Sequence, residues 1–410
     1  MSLQSKMIGL AKKAKKELKK VIKASNPPKI YPVRRINGVK LEERICAMTF
    51  DDGPCSAAPN PDNSGKSLTL TLIETLEKHG AKGTFDCVGD TSENYPDEAG
   101  EIGTALWGGK AYDHYPDFEK DSLGGIKNNP ELTKRILKNH EITCHSYVHR
   151  IWGKKPFVYG GRKYMGNIED VVNDLKRFDN VMKDGYSYQV MLGRPPHYVD
   201  KIDGRFTSYD AYAMLGYQYL GAGPDGGGWL PLASYEAEVE AMRKAVAAPL
   251  EQNPDAFCGA IIFQKDGCNM AKRTPVADAL DLQLAELDKY GYKVVSVREL
   301  MELSAFSDLS PKDKGYDVCK AMLDRGMCPA FSDNCIHPEK PVTAEELAMA
   351  AFGWEAVRTR VNDGARLGSA YRYAQKIAGE KGLDTKAVIS KTTDRLEAYG
   401  MLLEIIKDGD

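Results

Sequence analysis

Arg44-Ile45-Cys46-Ala47-Met48-Thr49-Phe50 runs without a break into Asp51-Asp52-Gly53-Pro54. A short apolar run stopped by glycine and proline reads as a buried strand, and the stop leaves two carboxylates standing at its tip. Six more runs of this kind follow, at about 83–88, 141–145, 188–193, 217–222, 258–264 and 293–297. Helical stretches separate them. Residues 66–79 place Leu68, Leu72, Ile73 and Leu76 on one side, and 130–139 opens on Pro130 at a first helical position. Others fit at about 168–183, 207–215, 234–248 and 275–290. Strand and helix in strict alternation predict an α/β fold whose parallel sheet is closed or nearly closed into a barrel. Asp51, His145, Arg194, Trp229 and Gln264 then all fall at or just past the C-terminal end of a strand, the rim where barrels place their chemistry.

His145-Ser146-Tyr147-Val148-His149 supplies two imidazoles. At a spacing of i and i+4 both rings lie on one face of a helical turn and reach a single ion. A carboxylate from elsewhere completes a three-ligand site with open positions, which distinguishes a catalytic ion from a structural one. Asp52 suits that ligand, while Asp51, pointing differently, can take a proton from a water. A His-x-x-x-His alone is a weak signal, and Asp-Asp-Gly-Pro alone is usually a turn. The two together, each at the end of a strand, carry the reading.

These ordered motifs resemble the polysaccharide deacetylases with a NodB homology domain, carbohydrate esterase family 4, over roughly residues 42–303. The resemblance implies a distorted (β/α)7 barrel, with Asp51 as catalytic base and Asp52, His145 and His149 as metal ligands. Gly193-Arg194-Pro195-Pro196 resembles the motif whose arginine orients the base. Asp225 to Trp229 resembles, in divergent form, the motif whose tryptophan lines the acetyl pocket. Pro196, Tyr198, Trp229 and Gln264 are the expected substrate-binding residues. Zinc suits such a ligand set, as do cobalt, nickel and manganese.

The fifth motif departs from the family. Where relatives carry Leu-x-His, the histidine being the acid that protonates the departing amine, this chain reads Ile261-Ile262-Phe263-Gln264-Lys265-Asp266. Gly228 stands where relatives have the aspartate that pairs with that acid. Gln264 and Gly228 are therefore expected to replace the pair as a unit. A positioned general acid contributes about 10²–10⁴-fold, so its loss slows such an enzyme without abolishing it. His197, just after Arg194-Pro195-Pro196, is the expected substitute.

With 410 residues the chain exceeds one ordinary core, so a large and a small domain are expected: an extension at 1–40, the barrel at 41–303 and a small helical C-terminal domain at 304–410. The net charge of −2 gives no reason to expect a nucleic-acid partner. Residues 1–40 nevertheless carry twelve Lys or Arg against Glu17, and 5–24 can form a basic amphipathic helix. Residues 1–24 are thus a candidate contact for an anionic surface. No run approaches a membrane span and the start lacks a hydrophobic signal core, so a cytoplasmic protein is expected, or a surface one if a leader has been removed. Cys46, Cys87, Cys144 and Cys258 lie in apolar runs and read as buried thiols. Asp90 to Asn129 interrupts the alternation with Tyr95, Trp107, Tyr112, Tyr115 and Phe118, and reads as a lid over the rim or a structural loop. Beyond 304, Pro341 to Glu346 and its surroundings weakly resemble an S-layer homology module, and helices at 344–361 and 391–407 suit an appendage or a homodimer contact. Cys319, Cys328, Cys335 and His337 lack the spacing of a zinc knuckle.

The function expected is a metal-dependent hydrolase removing acetyl from an N-acetylated or O-acetylated glycan. The alternatives are a carbohydrate-binding protein that retains the ion site but turns over poorly, and a hydrolase of a non-sugar amide.

Overall fold

The computed structural model describes residues 28–61, 65–90, 92, 105–107, 110–112, 124–153, 164–269, 271–366 and 368–407. The basic segment 1–24 lies outside the described residues, as does most of the Asp90–Asn129 stretch.

In chain order the elements are β1 (Arg35–Ile36), β2 (Ile45–Asp51), α1 (Leu68–Lys78), β3 (Thr84–Cys87), the antiparallel pair β4 (Ala105–Trp107) and β5 (Lys110–Tyr112), α2 (Pro130–Asn139), β6 (Glu141–Cys144), α3 (Ile168–Tyr186), β7 (Leu192–Gly193), α4 (Ser208–Leu215), β8 (Gln218–Leu220), α5 (Tyr235–Gln252), β9 (Ile261–Lys265), α6 (Val276–Lys289), β10 (Lys293–Val295) and α7 (Val297–Leu303). The helices α8 (Tyr316–Asp324), α9 (Ala344–Asn362), α10 (Ser369–Glu380), α11 (Thr385–Ser390) and α12 (Arg395–Lys407) follow. Local chemistry sets the ends. Ser67 caps α1 by accepting from the Leu70 N–H, Asn167 caps α3, and Thr343 with Glu346 forms a capping box on α9.

All seven strands expected from the apolar runs are present. They pair in parallel in the order β1-β8-β7-β6-β3-β2, with β9 and β10 both against β2. Bridges from Gly38 to Ala260 and from Asp225 to Phe263 draw the ends of this curled sheet together, giving the distorted barrel. Phe50, Phe85, Ile142 and Tyr219 are fully buried, as parallel strands covered on both faces require. The sheet starts earlier than the sequence suggested, because Arg35–Ile36 pairs with Tyr219–Leu220.

The C-terminal helices share their core with the barrel in one continuous apolar cluster that includes Val33, Phe206, Val357 and Tyr399. Arg360 of α9 pairs with Asp210 of α4, both fully buried, and Tyr31 Oη donates to the same carboxylate at 2.5 Å. Cys46, Cys87 and Cys144 are buried thiols, while Cys258 is half-buried. Among the described residues no helix is long and apolar enough to cross a membrane.

Candidate active site

β2 delivers Asp51 and Asp52 to the rim. The chain leaves extended geometry at Asp52, where φ is 81°, a conformation aspartate tolerates better than most residues. Asp52 Oδ1 then lies 3.3 Å from His145 Nε2 and 3.2 Å from His149 Nε2. Donors each ~2.0–2.2 Å from one tetrahedral ion sit about 3.3 Å apart. Asp52 therefore already stands at such a separation from each imidazole, and the three donor atoms all lie within 4.8 Å of one another. His145 is buried while Asp52 and His149 are partly exposed, so the cluster has one open side. Asp51, Asp86 and His145 also converge, but all three are buried, and that grouping offers no approach for a substrate.

The histidines meet for a different reason than helical spacing. Residues 145–149 form a looped turn and not a helix, with Ser146 at φ 74° and His149 at φ 53°. Asp174 of α3 pins that turn: its carboxylate accepts the N–H of Tyr147 at 2.8 Å and of Val148 at 3.2 Å. Ser146 Oγ accepts the His149 N–H at 2.9 Å. His145 donates from Nδ1 to the Arg194 carbonyl at 2.9 Å. That bond leaves Nε2 to face Asp52.

Asp86 of β3 stands 2.9 Å from the same Nδ1. Among the described residues its Oδ2 meets no hydrogen-bond donor of good geometry, the N–H being directed at the carbonyl, so the contact with His145 is chiefly electrostatic. Burial works against a charge on His145, but Asp86, Asp51 and Asp52 raise its pKa well above the ordinary value. The pocket is thus built for a cation. Asp86 escaped the sequence reading, although a carboxylate inside the apolar run Thr84-Phe85-Asp86-Cys87 was the available signal.

Asp51 is tied to Arg194, and both are buried. The guanidinium spends its remaining donors on Thr49 Oγ1 at 3.1 and 3.2 Å, the Leu220 carbonyl at 3.2 Å and the Gly221 carbonyl at 2.7 Å. Its carbon lies 5.2 Å from the Tyr198 ring centre and 5.5 Å from that of Phe263. Burial pushes the Asp51 carboxyl up to about 7 against the pull of Arg194 and His145. A base in that range is matched to proton transfer near neutral pH.

His197 follows the buried Pro196 and sits with φ at 55°, its ring 5.4 Å from that of His149. Trp229 donates to Asp225 Oδ2 at 3.0 Å, on the segment that pairs with β9.

The expectation for Gln264 is corrected. Side chains alternate along a strand, and β9 turns Gln264 away from the rim: it is fully buried and donates to Gln283 Oε1 of α6 at 2.5 Å. Gly228 has φ 86°, and a Cβ there would come within 2.6 Å of Met242 Sδ. Phe263 and Lys265 occupy the face that Gln264 was expected to use. Lys265 Nζ reaches Asp52 Oδ2 at 2.6 Å. Burial pushes the Asp52 carboxyl up, but Lys265, His149 and the imidazole hydrogen bonds together hold it well below the usual range.

Comparison with known proteins agrees with the motifs. Residues 38–219 match the family model described as polysaccharide deacetylase. A peptidoglycan-N-acetylglucosamine deacetylase of Listeria monocytogenes is 24% identical over 295 residues, 70% of this chain and 46% of the relative. The chain thus spans about half the length of the curated relatives it matches. Among solved structures, a CE4 family pseudoenzyme from Bacillus anthracis aligns over 64% of this chain and 66% of its own at 14% identity, with a TM-score of 0.40. The chitin deacetylase of Colletotrichum lindemuthianum aligns over 66% of this chain and 92% of its own at 15% identity, with a TM-score of 0.43. The family-model match and the motifs agree: residues 38–219 of this chain are similar to the polysaccharide deacetylases.

Proposed function

We propose that this chain is a metal-dependent hydrolase that removes acetyl groups from an N-acetylated glycan, with zinc as the ion. The N-acetylglucosamine of a peptidoglycan-like polymer is the substrate class suggested by the name of the Listeria relative. The observation that carries this reading is the junction of Asp51, locked to Arg194, with the cluster of Asp52, His145 and His149.

Asp52, His145 and His149 would hold a divalent ion, which when bound would supply Lewis-acid polarisation of the acetyl carbonyl. Asp51 takes the proton from the attacking water, and Arg194 keeps that carboxylate oriented through a charge-assisted bond. His197 delivers a proton to the nitrogen as the C–N bond breaks, so that free amine and acetate leave. Pro196, Tyr198 and Trp229 contribute to the substrate side. The test is acetate release from N-acetylglucosamine oligomers, acetylated xylan fragments and peptidoglycan, using protein reconstituted separately with zinc, cobalt and manganese. Release from the amide substrates supports the reading, and release from xylan alone would turn it into an O-deacetylase.

One observation favours a second reading. Lys265 neutralises Asp52, and no histidine stands on β9. A glycan-binding protein with little turnover would tolerate both features. Saturable oligosaccharide binding without acetate release under any ion would select it.

A further inference from the structure

We propose that Asp333, Cys335 and His337 form a second metal site, one that takes a borderline-soft divalent cation such as zinc and is separate from the cluster around Asp52. The three residues alternate with Asn334 and Ile336 in the loop between α8 and α9, and their donor atoms all lie within 4.8 Å of one another. His337 Nε2 is 3.2 Å from Asp333 Oδ2, the spacing adopted by two ligands ~2.0–2.2 Å from one tetrahedral zinc. A thiol, an imidazole and a carboxylate together favour zinc or cobalt over magnesium or calcium, which take oxygen ligands.

The loop is held in the conformation that gathers these groups. Asn334 at φ 66° and His337 at φ 51° both lie in the left-handed region, which residues other than glycine enter at a cost that their surroundings must offset. Here they do. Asn334 is fully buried, accepting from Arg34 at 2.7 Å and donating to Ser307 Oγ at 3.0 Å. The Asp308 carboxylate accepts the N–H groups of Ile336 and His337 at 2.8 Å each, and the Phe331 N–H closes onto the Cys335 carbonyl at 2.8 Å. Asn334 and Ile336 turn inward, leaving the three alternate residues half-buried on the other side. Behind the imidazole, Glu339 Oε1 lies 3.6 Å from Nδ1, where zinc-ligating histidines commonly keep a carboxylate. Cys335 is held beside this pair by its own bonds to Asp333, the N–H to Oδ1 at 3.2 Å and the thiol to the carbonyl at 3.8 Å.

The same loop bonds to the segment that enters the barrel. Ser332 donates to the Lys29 carbonyl and accepts from the Arg35 N–H, both at 2.8 Å. An ion held here would tie the C-terminal helices to β1, and its binding free energy would add to folding stability.

The test titrates the full chain, stripped of metal and kept reduced, with cobalt(II). Binding replaces the thiol proton with a sulfur–cobalt bond, which produces a near-ultraviolet charge-transfer absorption that the sulfur-free Asp52 cluster does not give. The absorption is expected in the wild type and in Asp52→Asn and is expected to vanish in Cys335→Ser; a cobalt-dependent rise in thermal midpoint is expected in Asp52→Asn and is expected to vanish when Cys335→Ser is added to it. His337→Ala, which keeps the thiol, should need a higher cobalt concentration. No absorption in the wild type, or absorption that survives Cys335→Ser, overturns the proposal. Neither result depends on deacetylase activity.

Discussion

Lys265 Nζ and Asp52 Oδ2 stand 2.6 Å apart, while the other oxygen of the same carboxylate faces the imidazoles of His145 and His149. An ion bound by that carboxylate therefore has a fixed positive charge close behind it. Two unit charges at 4 Å repel by about 4 kcal/mol at the effective dielectric of a protein surface, and relaxation reduces this. Lys265→Met is expected to bind zinc at least about tenfold more tightly, and Lys265→Arg to bind it like the wild type. Calorimetric titration of the stripped protein reads the difference. Unchanged affinity in Lys265→Met would show that the ammonium swings clear of a bound ion.

Among the described residues Arg194 is the only lysine or arginine ion-paired with Asp51, and the pair is buried. Breaking a buried pair by removing one member costs about 3–5 kcal/mol. Arg194→Met should lose stability on that scale in urea unfolding, and its Asp51 should become protonated at neutral pH. Arg194→Lys keeps a charge but loses the fork that also holds Thr49, Leu220 and Gly221, so it should fall between. Wild-type stability in Arg194→Met would contradict the geometry.

Gln264 should behave as a residue of the core. Gln283 takes its hydrogen bond and in turn donates to the carbonyls of Gly226 at 3.1 Å and Met242 at 2.7 Å. Gln264→Leu orphans the Gln283 oxygen, at a cost of about 1–3 kcal/mol. The expected result is a lower unfolding midpoint with unchanged KM. A raised KM at unchanged stability would return Gln264 to the substrate side.

Asp266 predicts a pH dependence. It is buried, with Oδ2 accepting from Thr69 Oγ1 at 2.6 Å and Oδ1 without a partner among the described residues. Burial pushes its carboxyl from 3.8 up to about 7. The unfolded chain therefore gives up this proton before the folded one does. The contribution to stability is complete below the unfolded value and is lost as pH rises through the folded value. Asp266→Asn cannot ionise, so in the metal-free protein it should gain on the order of 1–3 kcal/mol relative to wild type at pH 8 but not at pH 4. Parallel stability curves for the two proteins would refute the assignment.

Most of the barrel was legible because parallel strands buried on both faces leave continuous apolar runs, and Ile45 to Phe50 is one of them. Asp51, Asp52, His145, His149 and Arg194 were legible because the ends of several strands meet at one rim. The remainder depends on side-chain direction and long-range closure. Whether Gln264 or Lys265 faces the rim turns on a one-residue register that an apolar run does not specify. Asp174 supports the histidine turn from α3, across a stretch of sequence that carries no motif. The pairing of Arg35–Ile36 with β8 involves two residues, too few to leave a periodic signal. The C-terminal helices looked separable because their pattern changes after Leu303, yet Arg360 and Asp210 join them to the barrel through a contact between distant residues.

The most direct test of the account compares wild type with Asp51→Asn, measuring zinc binding and acetate release from an N-acetylglucosamine oligomer on the same samples. Asp51 is assigned to proton transfer and not to holding the ion. The prediction is therefore retained zinc binding with acetate release slowed by about 10²-fold or more, within the range a positioned base contributes. Acetate released by Asp51→Asn at the wild-type rate, with zinc bound in both, would contradict the central claim.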